Sequence, residues 1–226
     1  MKPSYTFYVV GCGGTGSLFA RDLPQLLIGT EHRMVLIDGD VVEEKNLKRQ
    51  SFQKHDIGTN KAIALARKIN TFYDIECMAM DIYLTAEELS ARISSDLYTI
   101  PVIVGCVDND NTRALLEKTF TEQEYCVYID SANSEYSGNI YTAVRRSNRQ
   151  YGKLRSQIYQ LAADKNPTEK SCLEQAADGN VQYFVTNDRM AMCILEHCFN
   201  LIHENEPLIL GVTEIDRFKE IHYTAN

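Results

Sequence analysis

The sequence predicts an α/β domain: a doubly wound, mostly parallel sheet that ends in a helix and a β-hairpin. Three observations carry that expectation. Short β-rich apolar runs alternate with segments of helical periodicity. A glycine-rich turn joins the first run to the first helix, and acids close the second run about 20 residues further on, as in a nucleotide-binding βαβ unit.

Taken in order, residues 5–10 are apolar and β-rich and end in glycine, and residues 17–27 carry apolar side chains at helical spacing, giving strand, turn and helix. Residues 34–37 form the next strand, and 41–59 a charged, polar connection. An amphipathic helix over 60–69 and a strand over 75–80 follow. The helix over 85–94 opens with Thr85 and Glu88 in capping-box spacing. The long apolar strand 100–107 delivers Asp108 and Asn109 at its end. Residues 125–129 and 139–144, joined through Ser137-Gly138, read as the last strands of the main sheet. Periodicity is then lost over 145–179, the pattern of a mobile crossing loop. A helix over 185–203 and alternating runs at 208–214 and 217–223 complete the chain. The division expected is one domain over 1–226, with a nucleotide-binding core at 1–145, a crossover loop at 146–179 and a C-terminal helix and hairpin at 180–226.

At 226 residues the chain is long enough to bury roughly 70–75% of its unfolded surface without disulfide or metal staples. A net charge of −8 argues against a nucleic-acid surface, which needs clustered Lys and Arg, yet it allows a local basic pocket for phosphates. The first residues carry no signal-peptide pattern and no apolar run reaches membrane-spanning length, so a soluble, cytoplasmic protein with no membrane contact is expected. Seven cysteines without a CxxC pair speak against a zinc ribbon and for reduced, mostly buried thiols.

The chemistry concentrates in three stretches. Gly11-Cys12-Gly13-Gly14-Thr15-Gly16 places four glycines in six residues at a strand-to-helix junction, where backbone N–H groups can approach phosphates. Gly11, Gly13 and Gly16 alone also satisfy a dinucleotide fingerprint, so an NAD-dependent oxidoreductase stands as an alternative. Of the acids at the second strand's end, Asp38 and Asp40, Asp40 reaches furthest and is the first choice to hold ribose hydroxyls. Arg49 and Lys61 favour the other reading. A guanidinium fork and an ammonium can stabilise charge building on a triphosphate, a task hydride transfer does not pose. Asp108 could ligate Mg²⁺ through one carboxylate or, alternatively, cap the helix that follows.

With these residues in place, the sequence resembles the ThiF/MoeB/HesA family of adenylating enzymes, relatives of the enzymes that activate ubiquitin and ubiquitin-like proteins. The matching motifs are Gly11 to Ser17, Asp38-Gly39-Asp40, Asn46-Leu47-Lys48-Arg49-Gln50, Gly58 with Lys61-Ala62, and Cys106-Val107-Asp108-Asn109 with Arg113. They cover about residues 6–145. The resemblance implies a Rossmann-like sheet that binds ATP and Mg²⁺, attack of a polypeptide C-terminal carboxylate on the α-phosphate, and a small β-grasp protein or peptide as partner. It implies that Asp40 holds the ribose, that Asn46, Arg49, Gln50 and Lys61 face the phosphates and that Asp108, beside Asn109, organises Mg²⁺. Cys172, in a polar segment beside Lys170, matches a loop cysteine that forms a thioester or takes part in sulfur transfer in some members. A homodimer is also implied, with the apolar part of 185–203 as one candidate surface. Many members carry an arginine ahead of the first strand that enters the partner subunit's site. No such residue stands here, which favours a short, PRTRC-type relative and leaves a nucleotide-binding subunit without turnover as a further alternative.

Overall fold

In a computed structural model that describes residues 3–96, 98–162, 183–203, 206–216, 218–219 and 222–224, the first strand, β1 (Tyr5–Val10), is buried along its whole length. Such a strand has helices on both faces and no solvent side for a charged residue. The Thr6 hydroxyl is satisfied by Asp96 at 2.7 Å, whereas the buried Tyr8 hydroxyl has no hydrogen-bond partner among the described residues.

β1 lies inside a nine-stranded sheet whose order is β3 (Cys77–Met80), β2 (Arg33–Ile37), β1, β4 (Ile100–Gly105), β5 (Cys126–Asn133), β6 (Ser137–Arg146), β8 (Gly211–Asp216) and β9 (His222–Thr224), with β7 (Arg149–Tyr151) paired to β6. The five strands from β3 to β5 are parallel, and every pairing from β5 to β6 onward is antiparallel. The helices are α1 (Gly14–Asp22), α2 (Pro24–Leu27), α3 (Lys61–Phe72), α4 (Ala86–Ser94), α5 (Asp110–Glu122) and α6 (Phe184–Ile202). Phe7 and Val9 share one core with α1, α3 and α6, whereas Tyr8 and Val10 share the other with α4 and α5. The alternation of strand side chains thus feeds two helical layers, and the doubly wound, mostly parallel fold expected is the fold observed. Among the described residues no helix is long and apolar enough to cross a membrane.

Several local expectations need correction. The helix read at 17–27 is two helices: Pro24 has no N–H to donate, so the chain breaks at Leu23, and α1 begins earlier, at Gly14. Asp108 does not cap α5; Asn109 does, accepting from Thr112 N at 2.9 Å. Ser137 and Gly138 lie inside β6 rather than in a turn, and β6 is not the last strand, since β8 and β9 extend the same sheet. The described part of the presumed crossing loop is structured: β7 leads to a 3₁₀ turn at Arg155–Gln157, with Leu154 and Arg155 buried. Polarity misled there because Arg155 is drawn inward by a buried acid, Asp130. Residues 163–179, Cys172 included, lie outside the described residues. The Thr85–Glu88 capping box is present as read.

Candidate functional site

The site sits at the carboxyl ends of β1, β2 and β4, where β1 is flanked by strands whose crossovers run on opposite faces of the sheet. Two glycines there are demanded by the protein's own contacts. Gly11 has φ +89°, and a Cβ on it would meet the Cys106 carbonyl at 2.6 Å; a Cβ on Gly16 would lie 1.9 Å from the Gly11 carbonyl. Gly13 differs, since a Cβ there would find nothing within 4 Å, so this glycine faces open space. As the N-cap of α1 it offers no side-chain acceptor, and the first turn of that nine-residue helix holds no acid. The first-turn N–H groups, with the positive end of the helix dipole, are therefore available to an external anion.

Asp38 and Asp40 do different work. Asp38 turns inward and accepts from Cys12 N at 2.6 Å and Asp40 N at 2.8 Å. Burial raises its pKa despite the nearby Lys61 ammonium, and its carboxyl buttresses the glycine loop from below. Asp40 points outward and pairs with Lys61 Nζ at 2.7 Å. Burial alone would raise its carboxyl, but the Lys61 charge and its hydrogen bond outweigh that and hold it below the usual carboxylate range. Lys61 is likewise penalised by burial and held charged by Asp38 and Asp40.

The remaining expected residues fall into two groups. Arg49 ends the 3₁₀ turn Glu44–Lys48, is half-buried, and makes no side-chain hydrogen bond or ion pair among the described residues. Its loop is tied to α1 by Ser51 N, which donates to Ser17 Oγ at 3.0 Å. The neighbouring Gln50 is buried with its Oε1 unpartnered. Asp108 is exposed and follows Cys106 and Val107, whose carbonyl and side chain respectively pack on Gly11. By contrast Asn46 and Asn109, through Oδ1, and Thr15, through its hydroxyl, hold the local fold. Asn46 Oδ1 accepts from Glu43 N at 2.8 Å, Asn109 caps α5, and Thr15 donates to Asn133 at 3.3 Å. Arg113 is also structural, forking to Asp110 and Asp130.

Other residues enter the site without having been singled out. Asn60 caps α3 and, through Nδ2, holds the carbonyls of Asp38 and Asp40 at 2.7 and 3.0 Å, so it fixes the acid turn to the helix that carries Lys61. An Asn directly ahead of a helical run is a legible cap signal. Tyr83 donates to Asp40 Oδ1 at 2.6 Å. Asn133 links Thr15 to Asn187 of α6, with 2.8 Å to the latter, and it borders a hollow of about 630 Å³ between β5, β6 and β8 that Asn139, Arg155 and Glu214 also line.

An unfilled helix N-terminus and a lysine–carboxylate pair lie at the strand ends here, and an uncommitted guanidinium stands on the loop that Ser51 ties to α1. The same order of elements is found in known proteins, and residues 4–219 match the model of the ThiF family. The chain belongs to the ThiF family. Ubiquitin-like modifier-activating enzyme 5 of Branchiostoma floridae is 32% identical over 149 residues, 60% of this chain and 35% of that protein. The adenylyltransferase and sulfurtransferase MOCS3 of Danio rerio is 34% identical over 110 residues, 48% of this chain and 22% of that one. This ThiF-family chain thus spans about a third or less of the length of these curated relatives. A structure of E. coli MccB with ATP superposes with a TM-score of 0.68 at 18% identity, covering 99% of this chain and 63% of MccB, which shows the shared fold.

Proposed function

We propose that this chain is an ATP-dependent adenylyltransferase that activates the C-terminal carboxylate of a small ubiquitin-like protein or other polypeptide. The observation that carries the reading is the Asp40–Lys61 pair, joined through Asp38 to a glycine loop whose helix N-terminus has no cap of its own, with Arg49 uncommitted on the loop tied to α1. The relatives' names, an activator of ubiquitin-like modifiers and an adenylyltransferase, and the MccB structure with ATP support the same choice. A hydride-transfer site would leave Arg49 and Lys61 without a task.

In this reading Asp40 holds the ribose, the first-turn N–H groups of α1 hold phosphate oxygens, and Lys61 and Arg49 take up charge on them. One carboxylate oxygen of the acyl substrate attacks the α-phosphorus, and the bond from that phosphorus to the bridging oxygen of pyrophosphate breaks. A carboxylate is already ionised at neutral pH, so no general base is needed. Holding both reactants in line supplies much of the rate. Among the described residues no three His, Cys, Asp or Glu cluster as a metal site. Asp108 fits Mg²⁺ in the manner usual for that ion, one exposed carboxylate completed by phosphates and water, and the ion would neutralise phosphate charge. In this reading the hollow bordered by Asn133, whose side chain accepts from Thr15, receives the acyl tail.

Transfer of the acyl group to Cys172 is the finer step of this proposal: the thiolate attacks the acyl carbon and AMP leaves. Of the six described cysteines five are buried, and burial pushes the half-buried Cys106 thiol up to about 12, so none of them is a ready nucleophile. A homodimer accompanies the proposal. Most of the apolar surface of α6 is core, including Met190, Ala191, Ile194 and Cys198, which leaves Val185, Met192 and Phe199 for a partner.

The test is exchange of labelled pyrophosphate into ATP in the presence of Mg²⁺ and a panel of C-terminal peptides, Gly-Gly-ending ones included. Peptide-dependent exchange is expected. ATP binding with no exchange under any peptide would replace the enzyme by a nucleotide-binding subunit, and a reductant-sensitive adduct lost in Cys172→Ser would establish the thioester.

A further inference from the structure

Asp40 is engaged on both oxygens. Oδ2 accepts from Lys61 Nζ at 2.7 Å and Oδ1 accepts from the Tyr83 hydroxyl at 2.6 Å. The tyrosine reaches the acid by lying against Gly39, where a Cβ would stand 2.6–2.7 Å from three atoms of the ring. Only glycine at 39 gives the ring this seat. Tyr83 is nonetheless 43% exposed, so the contact rests on one charge-assisted bond and one glycine rather than on core packing. Burial, and then the bond to Asp40, raise the phenol's pKa, so at neutral pH its oxygen keeps the proton it donates.

A ribose held by Asp40 through its hydroxyls needs the same carboxylate oxygens. Lys61 can stay beside the acid and still serve a phosphate, because an ammonium carries three donors. The Tyr83 hydroxyl has one proton, and it is spent on Oδ1. We infer that Tyr83 competes with the nucleotide's ribose for Asp40, and so makes binding depend on a sugar hydroxyl able to replace the phenol. The inference rests on the nucleotide reading above and adds a specificity-determining residue to it. A nucleotide with both sugar hydroxyls displaces Tyr83 from Oδ1. One without them binds through base and phosphates and leaves the tyrosine in place.

Calorimetric titration of the full chain and of Tyr83→Phe with Mg-ATP and with Mg-2′,3′-dideoxy-ATP tests this. Tyr83→Phe keeps the ring on Gly39 and removes only the competing donor. ATP should bind the variant up to about tenfold more tightly, while dideoxy-ATP should bind both proteins equally. A change of the same size for both nucleotides, in either direction, would make Tyr83 a packing or blocking residue, and no change for either would leave Asp40 uncontested; each of these overturns the inference alone. A folded wild-type chain that binds neither nucleotide would overturn the nucleotide reading itself, and the role of Tyr83 with it.

Discussion

Two charged clusters stand at opposite sides of β4 and are built on different principles. In the antiparallel half, Asp130 is fully buried between Arg113 and Arg155, Arg155 also donates to Asn139 at 2.7 Å, and the ring of Tyr141 covers its guanidinium at 4.5 Å. In the parallel half, Asp40 follows β2 and Lys61 opens α3, the acid is about half-exposed, and Arg49 makes no side-chain hydrogen bond or ion pair among the described residues. The first cluster spends its charge holding strands and the turn at 155 together. The second keeps charge available to something outside the protein. The exposure of the acid, rather than charge itself, separates the two: Asp130 is closed off from solvent, whereas Asp40 is about half-exposed.

The sharpest way to break this contrast is to remove each centre in turn. Asp130→Ala leaves two arginines buried without their acid and should cost about 3–5 kcal/mol in urea unfolding. If it abolished nucleotide binding at unchanged stability, the division would be wrong. Arg49→Ala should do the reverse, lowering pyrophosphate exchange by about 10²–10³-fold while shifting unfolding by no more than about 0.5 kcal/mol. A third test uses pH. His197 of α6 is buried between Thr142 and Thr213, at 2.8 and 3.0 Å, and burial lowers its pKa to about 4. Between its unfolded value near 6.5 and about 4 the unfolded chain takes up a proton that the folded chain refuses. Stability is therefore whole above about pH 6.5 and should fall by up to about 3 kcal/mol as pH drops through that window. His197→Gln should flatten that slope in denaturation curves taken at successive pH values. The smallest effect is expected of Thr85→Ala, whose side chain touches neither cluster although it follows Tyr83 by two residues: opening the capping box of α4 should cost about 1 kcal/mol and leave exchange intact.

What could be read in advance follows from which signals are local. The strand–glycine–helix junction, the placement of Asp38 and Asp40, and Lys61 at the start of α3 were legible because each depends on neighbours within one βαβ unit. Thr85 with Glu88 was legible for the same reason. The division of labour between Asp38 and Asp40 was not, since it depends on whether a carboxylate turns toward Cys12 or toward Lys61. Tyr83 and Asn133 reach the site across 43 and 118 residues of chain, and no spacing rule marks them. Arg155 was hidden by its own polarity: a charged residue in a polar stretch reads as solvated until the buried acid it meets is known. Asn46 and Asn109 were legible as motif residues, but that their Oδ1 atoms hold the turns around the site was not.

The pairing of β1 also governs how the protein can be made. Its neighbour β2 arrives soon after it, but on its other side Tyr5 is matched to Ile100 and Val10 to Gly105. During synthesis about ninety further residues must be released before this fully buried strand is covered on both edges. Until then that strand offers an open row of backbone donors and acceptors, the kind of template on which nascent chains aggregate. Chaperone demand should therefore be greatest while the stretch from β1 to β4 emerges, and fall sharply once β4 closes the gap.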